Sequence, residues 1–494
     1  MRCATRFAAL VVVLPLALLV AVVAQAQSPL PSAWCGDHPA SCQPMQAAGG
    51  MIDQIVSQST RQDLLIDFAG GLAVLGLAEE ARAVLAGVAP EMGRYTRQFD
   101  EAHWIATTLA EAYSTAGQAA VAVAVLEAAL AAAEANPSGD PFRLYDIAYE
   151  FARAEAWDRA EATALAVAGD ERRQSALIDV AIAMADAGLD EDASRVIDAA
   201  LAIGPMPGDG QRAGWANLNA VAALTALERW DDALAVADQR ANPMGPTLGR
   251  LAIARAQGEA GQAQAALATI DAVDAPIHDP AEIPAFLAEQ PGGGPNWYVV
   301  QALAYAEAAA GLSAEALATV AQFDQTDWEE GTLETVAEIH VAAGRGEDAV
   351  AAARANRDGR DRVIALTHVI ERLADAGETA LADETLATLL EAYGALADAV
   401  DRGIASQYVA QAHAALGQWD EAEAAVAAAP DWRSLAGAQR NLTILQAEHG
   451  LLEAAAATLT AMGESPSIDN DRDRARAGLV RGLIAAAVAA MPAE

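Results

Sequence analysis

The chain is 494 residues long and strongly acidic, with 68 Asp and Glu against 30 basic residues and a formal net charge of -38. A field of that sign repels polyanions, which argues against nucleic acid and anionic lipid as partners and favours basic proteins or divalent cations. Every basic residue is arginine, so phosphate-binding loops ending in Gly-Lys-Ser/Thr, pyridoxal Schiff bases and Ser-x-x-Lys acylation are excluded together.

Arg2 and Arg6 precede an apolar run from Phe7 to Val23, and Ala24-Gln25-Ala26 puts small residues where signal peptidase needs them. Residues 1–26 therefore read as a cleaved signal peptide, giving a periplasmic or secreted protein that begins at Gln27. Loss of Arg2 and Arg6 leaves 28 basic against 68 acidic residues, a net charge of -40. An uncleaved anchor is the alternative, because the run approaches the length that spans a bilayer; after cleavage no stable membrane insertion is expected. Residues 27–52 form an N-terminal segment containing Cys35 and Cys42. An even pair in an exported chain reads as a disulfide. A metal site using His38 between them lacks a fourth ligand nearby.

From about Met51 a turn residue, glycine in nine of eleven cases, and an alanine five residues on punctuate the chain. The pairs are Gly76/Ala81, Gly117/Ala122, Glu155/Ala160, Gly188/Ala193, Glu228/Ala233, Gly261/Ala266, Gly311/Ala316, Gly344/Ala349, Gly377/Ala382, Gly417/Ala422 and Gly450/Ala455. Glycine closes one helix in the left-handed conformation, and alanine lets the next helix approach its neighbour closely. Eight residues before the turn most units carry an apolar residue followed by a small one, as in Ile147-Ala148 and Val180-Ala181. Four residues after the alanine, on the same helical face, another apolar residue follows, as in Leu126 and Ile197. Successive turns lie 33 residues apart in five cases, 38 to 41 in four and 50 in one, the period of a helical solenoid with loop insertions.

The pattern resembles the tetratricopeptide repeat, and Trp157-Asp158, Trp230-Asp231 and Trp419-Asp420 match that family's aromatic-acidic turn. The resemblance covers roughly residues 60 to 470 and implies an all-α, right-handed α-solenoid of about eleven antiparallel helical hairpins plus a C-terminal capping helix. Two features depart from the family: Glu155 and Glu228 replace the turn glycine, and the proline near the end of the second helix is mostly missing. The repeats are degenerate.

Residues 53–274 form a first sub-array and residues 297–494 a second. Between them, 275–296 holds Pro276, Pro280, Pro284, Pro291, Pro295 and the Gly292-Gly293-Gly294 run, through which no helix continues. From Asp471 to Met491 one more helix is expected, without a hairpin partner, covering the open end of the array. Its Gly478 and Gly482 have the spacing of a membrane dimer motif, but Arg481 between them makes that reading poor.

No catalytic fingerprint is present, and neither a cofactor nor a metal site is expected. His340 and His413 share a repeat position with a whole repeat between them, which suits helix packing better than a shared metal. In the tetratricopeptide family the inner surface is lined by first-helix positions thirteen, ten and six residues before the turn. Carried over, these are Trp104, Thr107 and Glu111, then Phe142, Tyr145 and Tyr149, then Trp215, Arg255, Tyr298, Gln301 and Tyr305. Later repeats put Glu338, Glu371, Gln407, Gln411 and Arg440 there. An aromatic stripe in an acidic surround suits a protein or peptide partner with apolar or proline side chains and basic flanks. The alternative is a stripe packed against a neighbouring helix. The resemblance implies a non-catalytic periplasmic scaffold or adaptor; an envelope enzyme acting on glycan through acidic residues, or a purely structural envelope protein, is the alternative.

Overall fold

The computed structural model describes residues 30–92, 100–135, 143–204, 211–239, 245–273, 295–322, 326–462 and 469–491. The expected signal peptide, residues 1–26, and nearly all of the Pro- and Gly-rich insertion lie outside these residues. The described residues contain twenty-five helices and no strand. In chain order they are α1 (Ser32–Asp37), α2 (Pro39–Ile52), α3 (Gln58–Val74), α4 (Ala78–Met92), α5 (Glu101–Thr115), α6 (Ala119–Ala135), α7 (Arg143–Arg153) and α8 (Trp157–Ala166). Then come α9 (Asp170–Asp186), α10 (Asp190–Ala202), α11 (Gln211–Ala226), α12 (Trp230–Ala237), α13 (Gly245–Glu259), α14 (Ala263–Asp271), α15 (Pro295–Ala309) and α16 (Ser313–Val320). The last nine are α17 (Thr326–Ala342), α18 (Gly346–Arg354), α19 (Gly359–Asp375), α20 (Thr379–Gly394), α21 (Ala399–Ala415), α22 (Trp419–Ala427), α23 (Trp432–Glu448), α24 (Leu452–Ala461) and α25 (Asp469–Ala489).

From α3 to α24 these are eleven hairpins, and all eleven turn positions have positive φ. At the nine glycines among them, a Cβ would meet nothing within 4 Å, so backbone conformation and not space selects the residue. Glu155 (φ 56°) and Glu228 (φ 52°) adopt the same conformation with a side chain, and are the only described non-glycine residues to do so. Each turn is closed by the same bond, the N–H one residue past the turn donating to the carbonyl five residues back. Gln118 N to Tyr113 O (2.8 Å) and Leu189 N to Met184 O (2.9 Å) are examples. Every one of the eleven alanines is fully buried, so the second helix enters its neighbour at the same point each time.

The chain divides into two compact units, Met1–Ala160 with Gln439–Glu494 and Glu161–Ala438. In the first unit α3, α5 and α7 stack in succession, each of α3 and α5 paired with the helix that follows it. Asp100 caps α5 by accepting the His103 N–H at 3.1 Å. Cys35 and Cys42 are bridged, with Cα atoms 5.1 Å apart, and His38 Nδ1 lies 3.1 Å from Trp34 O. The last helix does cover the final hairpin, but that end is not open. α25 also packs on α2 and α3, and a Cβ on Gly71 of α3 would come within 2.6 Å of Ile484. Gly478 and Gly482 serve close packing on α23: a Cβ on them would lie 2.6 Å from Ile444 and 2.9 Å from Ala447 O.

In the second unit the first helices α9, α11, α13, α15, α17, α19 and α21 stack in order. The last four of these share a core that includes Val300, Val336, Leu366 and Ile370, all 1% exposed or less. Asp358 and Asp398 cap α19 and α21, each accepting two backbone N–H groups. His340 is wholly buried in packing, as expected; its Nδ1 accepts from Arg345 Nε at 3.2 Å, and burial pushes the imidazole down to about 4. No helix among the described residues is long and apolar enough to cross a membrane.

Candidate functional site

The first helices carry the candidate binding residues at spacings of three and four, which places them on one face of each helix. Stacking of consecutive first helices then decides which of them meet. At two places in the second unit the position six before the turn touches its counterpart in the next repeat. The Arg255 guanidinium on α13 lies 5.5 Å from the Tyr305 ring centroid on α15, a cation–π arrangement. Gln411 Nε2 on α21 donates to Glu371 Oε1 on α19 at 2.7 Å. The helical register thus builds a row of polar and aromatic groups along the stack.

Around Tyr305 the row is sewn together. Gln301 Nε2 donates to Thr332 Oγ1 at 3.3 Å, and the phenol is hydrogen-bonded with Thr335, Thr332 and Gln301. Burial raises the phenol's pKa, against these bonds and the nearby Arg255. Tyr305 also packs on the apolar core of its unit. Tyr298, two turns earlier on the same helix, is 51% exposed. The stripe is therefore half core and half surface. Thr332 and Thr335 escaped sequence reading, because they lie twelve and nine residues before their turn, beside the positions used.

Further along, Arg372 Nη2 donates to Glu338 Oε1 at 2.6 Å and His368 Nδ1 lies 2.7 Å from Glu334 Oε1. That contact raises the imidazole's pKa and lowers the carboxyl's, while burial raises the Glu371 carboxyl. Trp215 lies on α11, and its side chain is outside what the structure describes.

In the first unit Trp104 and Tyr145 are half-buried, whereas Tyr149 is 45% exposed. Thr107 Oγ1 donates to the carbonyls of His103 and Trp104 at 3.2 and 3.1 Å. Arg153 Nη1 on α7 donates to Glu111 Oε1 on α5 at 2.8 Å and lies 3.5 Å from Glu150. Burial pushes the Glu150 carboxyl up to about 7 despite Arg153. Arg440 Nη1 donates to Asp471 at 2.7 Å. Phe142 falls outside the described residues.

No protein-family model matches the chain, and no curated protein matches it. Among solved structures the chain is similar to one titled "Crystal structure of APC/C hetero-tetramer Cut9-Hcn1". Identity is 12% over 83% of this chain and 95% of that one, at a TM-score of 0.19. A likeness that slight carries no functional argument; the repeat fold rests on this chain's own eleven turns and stacked first helices. Among the described residues no group of three or more His, Cys, Asp or Glu side chains is placed to hold a metal ion.

Proposed function

We propose that the protein is a non-catalytic scaffold that binds an extended peptide or protein along the face of its first helices. The observation that carries this reading is the row itself. Side chains at one repeat position of the second unit meet their counterparts in the next, at Arg255–Tyr305 and Glu371–Gln411, and each unit has a part-exposed ring on a first helix, Tyr149 in the first and Tyr298 in the second. A regularly spaced row suits an extended ligand that repeats its own contacts, since aromatic rings at such faces often dominate binding. The acidic chain favours a partner with basic flanks and apolar or proline side chains. The Arg2–Ala26 sequence supports a periplasmic or secreted location.

The test is affinity capture from envelope extract, followed by titration of the captured partner against Tyr149→Ala and Tyr298→Ala. Both rings are substantially exposed, so neither change should alter melting. A fall in affinity of about tenfold or more is expected from loss of a ring that anchors the ligand. Undiminished binding by the double variant would remove the groove reading.

A further inference from the structure

The first unit contains a cavity of about 350 Å³, none of whose lining residues belongs to the row described above. One wall is α6, which supplies Ala128, Ala129 and Ala132 among other small residues. The rest of the lining includes Arg82 from α4, His103 from α5 and Arg143 at the start of α7. Among the described residues two arginines stand there against one carboxylate, Asp100, in a chain whose net charge is -38.

That carboxylate is already engaged. Its Oδ1 accepts the His103 N–H at 3.1 Å as the cap of α5, and its Oδ2 pairs with Arg143. His103 is committed elsewhere, its Nε2 lying 3.1 Å from Asp146 Oδ2. Arg143 Nε, although buried, has no acceptor among the described residues. Buried donors without an acceptor are uncommon.

We propose that this cavity binds a monocarboxylate carrying a short apolar body, its charge against Arg82 and Arg143 and its body on the alanine wall. A bare inorganic anion would leave the alanine surface uncovered, and an apolar molecule without charge would take nothing from the positive charge of Arg82 and Arg143. The volume lies within the usual range of small-molecule sites. At about 30 Å³ per water-sized unit it holds roughly a dozen non-hydrogen atoms. A free aryl or alkyl acid supplies this chemistry, and so does the C-terminal residue of a peptide.

The experiment is calorimetric titration of the full chain with 3-phenylpropanoate and with N-acetyl-Ala-Ala-Phe, each beside its amide. The acid is expected to bind saturably and its amide at least tenfold more weakly. Arg82 and Ala128 are both exposed, so Arg82→Gln and Ala128→Phe should fold with unchanged melting. The first should weaken acid binding about tenfold, as loss of a charged contact does, and the second should abolish it. Binding of 3-phenylpropanoate alone identifies a free small acid, and binding of the peptide acid identifies a chain terminus; either supports the site. Failure of both acids to saturate, amides that bind as well as acids, or undiminished binding by Ala128→Phe would each overturn it.

Discussion

Asp473 and Ser57 are 416 residues apart in sequence, yet the Asp473 Oδ2 accepts the Ser57 backbone N–H at 2.7 Å and that of Val56 at 2.9 Å. The last helix thereby supplies acceptors at the start of the first repeat helix, where N–H groups have no partner within the helix. Arg476 Nη1 adds a bond to Gln54 O at 2.9 Å, and Arg481 Nε one to Asp67 Oδ2 at 2.8 Å. Asp473 is 1% exposed, so water does not replace it cheaply.

Asp473→Ala should therefore remove the charged acceptor shared by the Val56 and Ser57 N–H groups and cost about 1.5 to 3 kcal/mol, the usual range for hydrogen bonding to a charged group. The expected signature is local. Amide exchange should rise at Val56 and Ser57 and along α3 and α25, with the second unit unchanged. Exchange unaltered at Val56 and Ser57 would show that the contact contributes nothing.

How far the fold is legible in the sequence depends on the range of the force involved. The turns are legible because a positive φ selects glycine and a fully buried crossing selects alanine, and both are local demands repeated eleven times. The resting place of α25 is not. A contact made once across more than 400 residues leaves no period, and Gly478 and Gly482 announce close packing without naming Ile444 and Ala447 as its object. The same holds for the site. Spacing puts Tyr298 and Tyr305 on one face, but only the neighbouring helix, with Thr332 and Thr335, determines that one ring is half sunk and the other open. Arg82 and Arg143 occupy unrelated repeat positions, so periodicity could not bring them together.

Glu155 and Glu228 hold a left-handed backbone that costs a side-chain-bearing residue about 1 to 2 kcal/mol. Both are exposed. Replacement by glycine should stabilise each hairpin by roughly 0.5 to 1 kcal/mol, the gain in strain being partly offset by glycine's greater entropy in the unfolded chain. Chemical denaturation of Glu155→Gly and Glu228→Gly measures this; a loss of stability in both would mean that the carboxylates make contacts worth more than the strain.

Ala422 is fully buried where α22 begins to pack. Extra methylenes there have no space, so Ala422→Leu should cost about 1 to 3 kcal/mol. Because repeats couple chiefly to their neighbours, protection should fall in α21 and α22 first. Hydrogen exchange that rises evenly over the second unit would contradict that locality.

Glu307 provides a pH test with a definite sign. Burial lifts its carboxyl from 4.5 to about 7, more than the Thr319 hydroxyl, which donates to its Oε2 at 2.8 Å, can hold it down. Between those two values the folded state keeps a proton that the unfolded chain has released, so folding is favoured at the acidic end. The stabilising contribution is fully present below about 4.5 and is lost as pH rises through about 7. Glu307→Gln keeps an oxygen for Thr319 and never ionises. Its melting temperature should therefore vary less than wild type between about pH 5 and 8, and should exceed wild type at the alkaline end. Glu150, also raised to about 7 by burial, contributes in the same direction against the pull of Arg153. Adding Glu150→Gln to Glu307→Gln should therefore flatten the profile further. Parallel melting profiles for wild type and Glu307→Gln across that range would mean that Glu307 stays ionised in the folded protein.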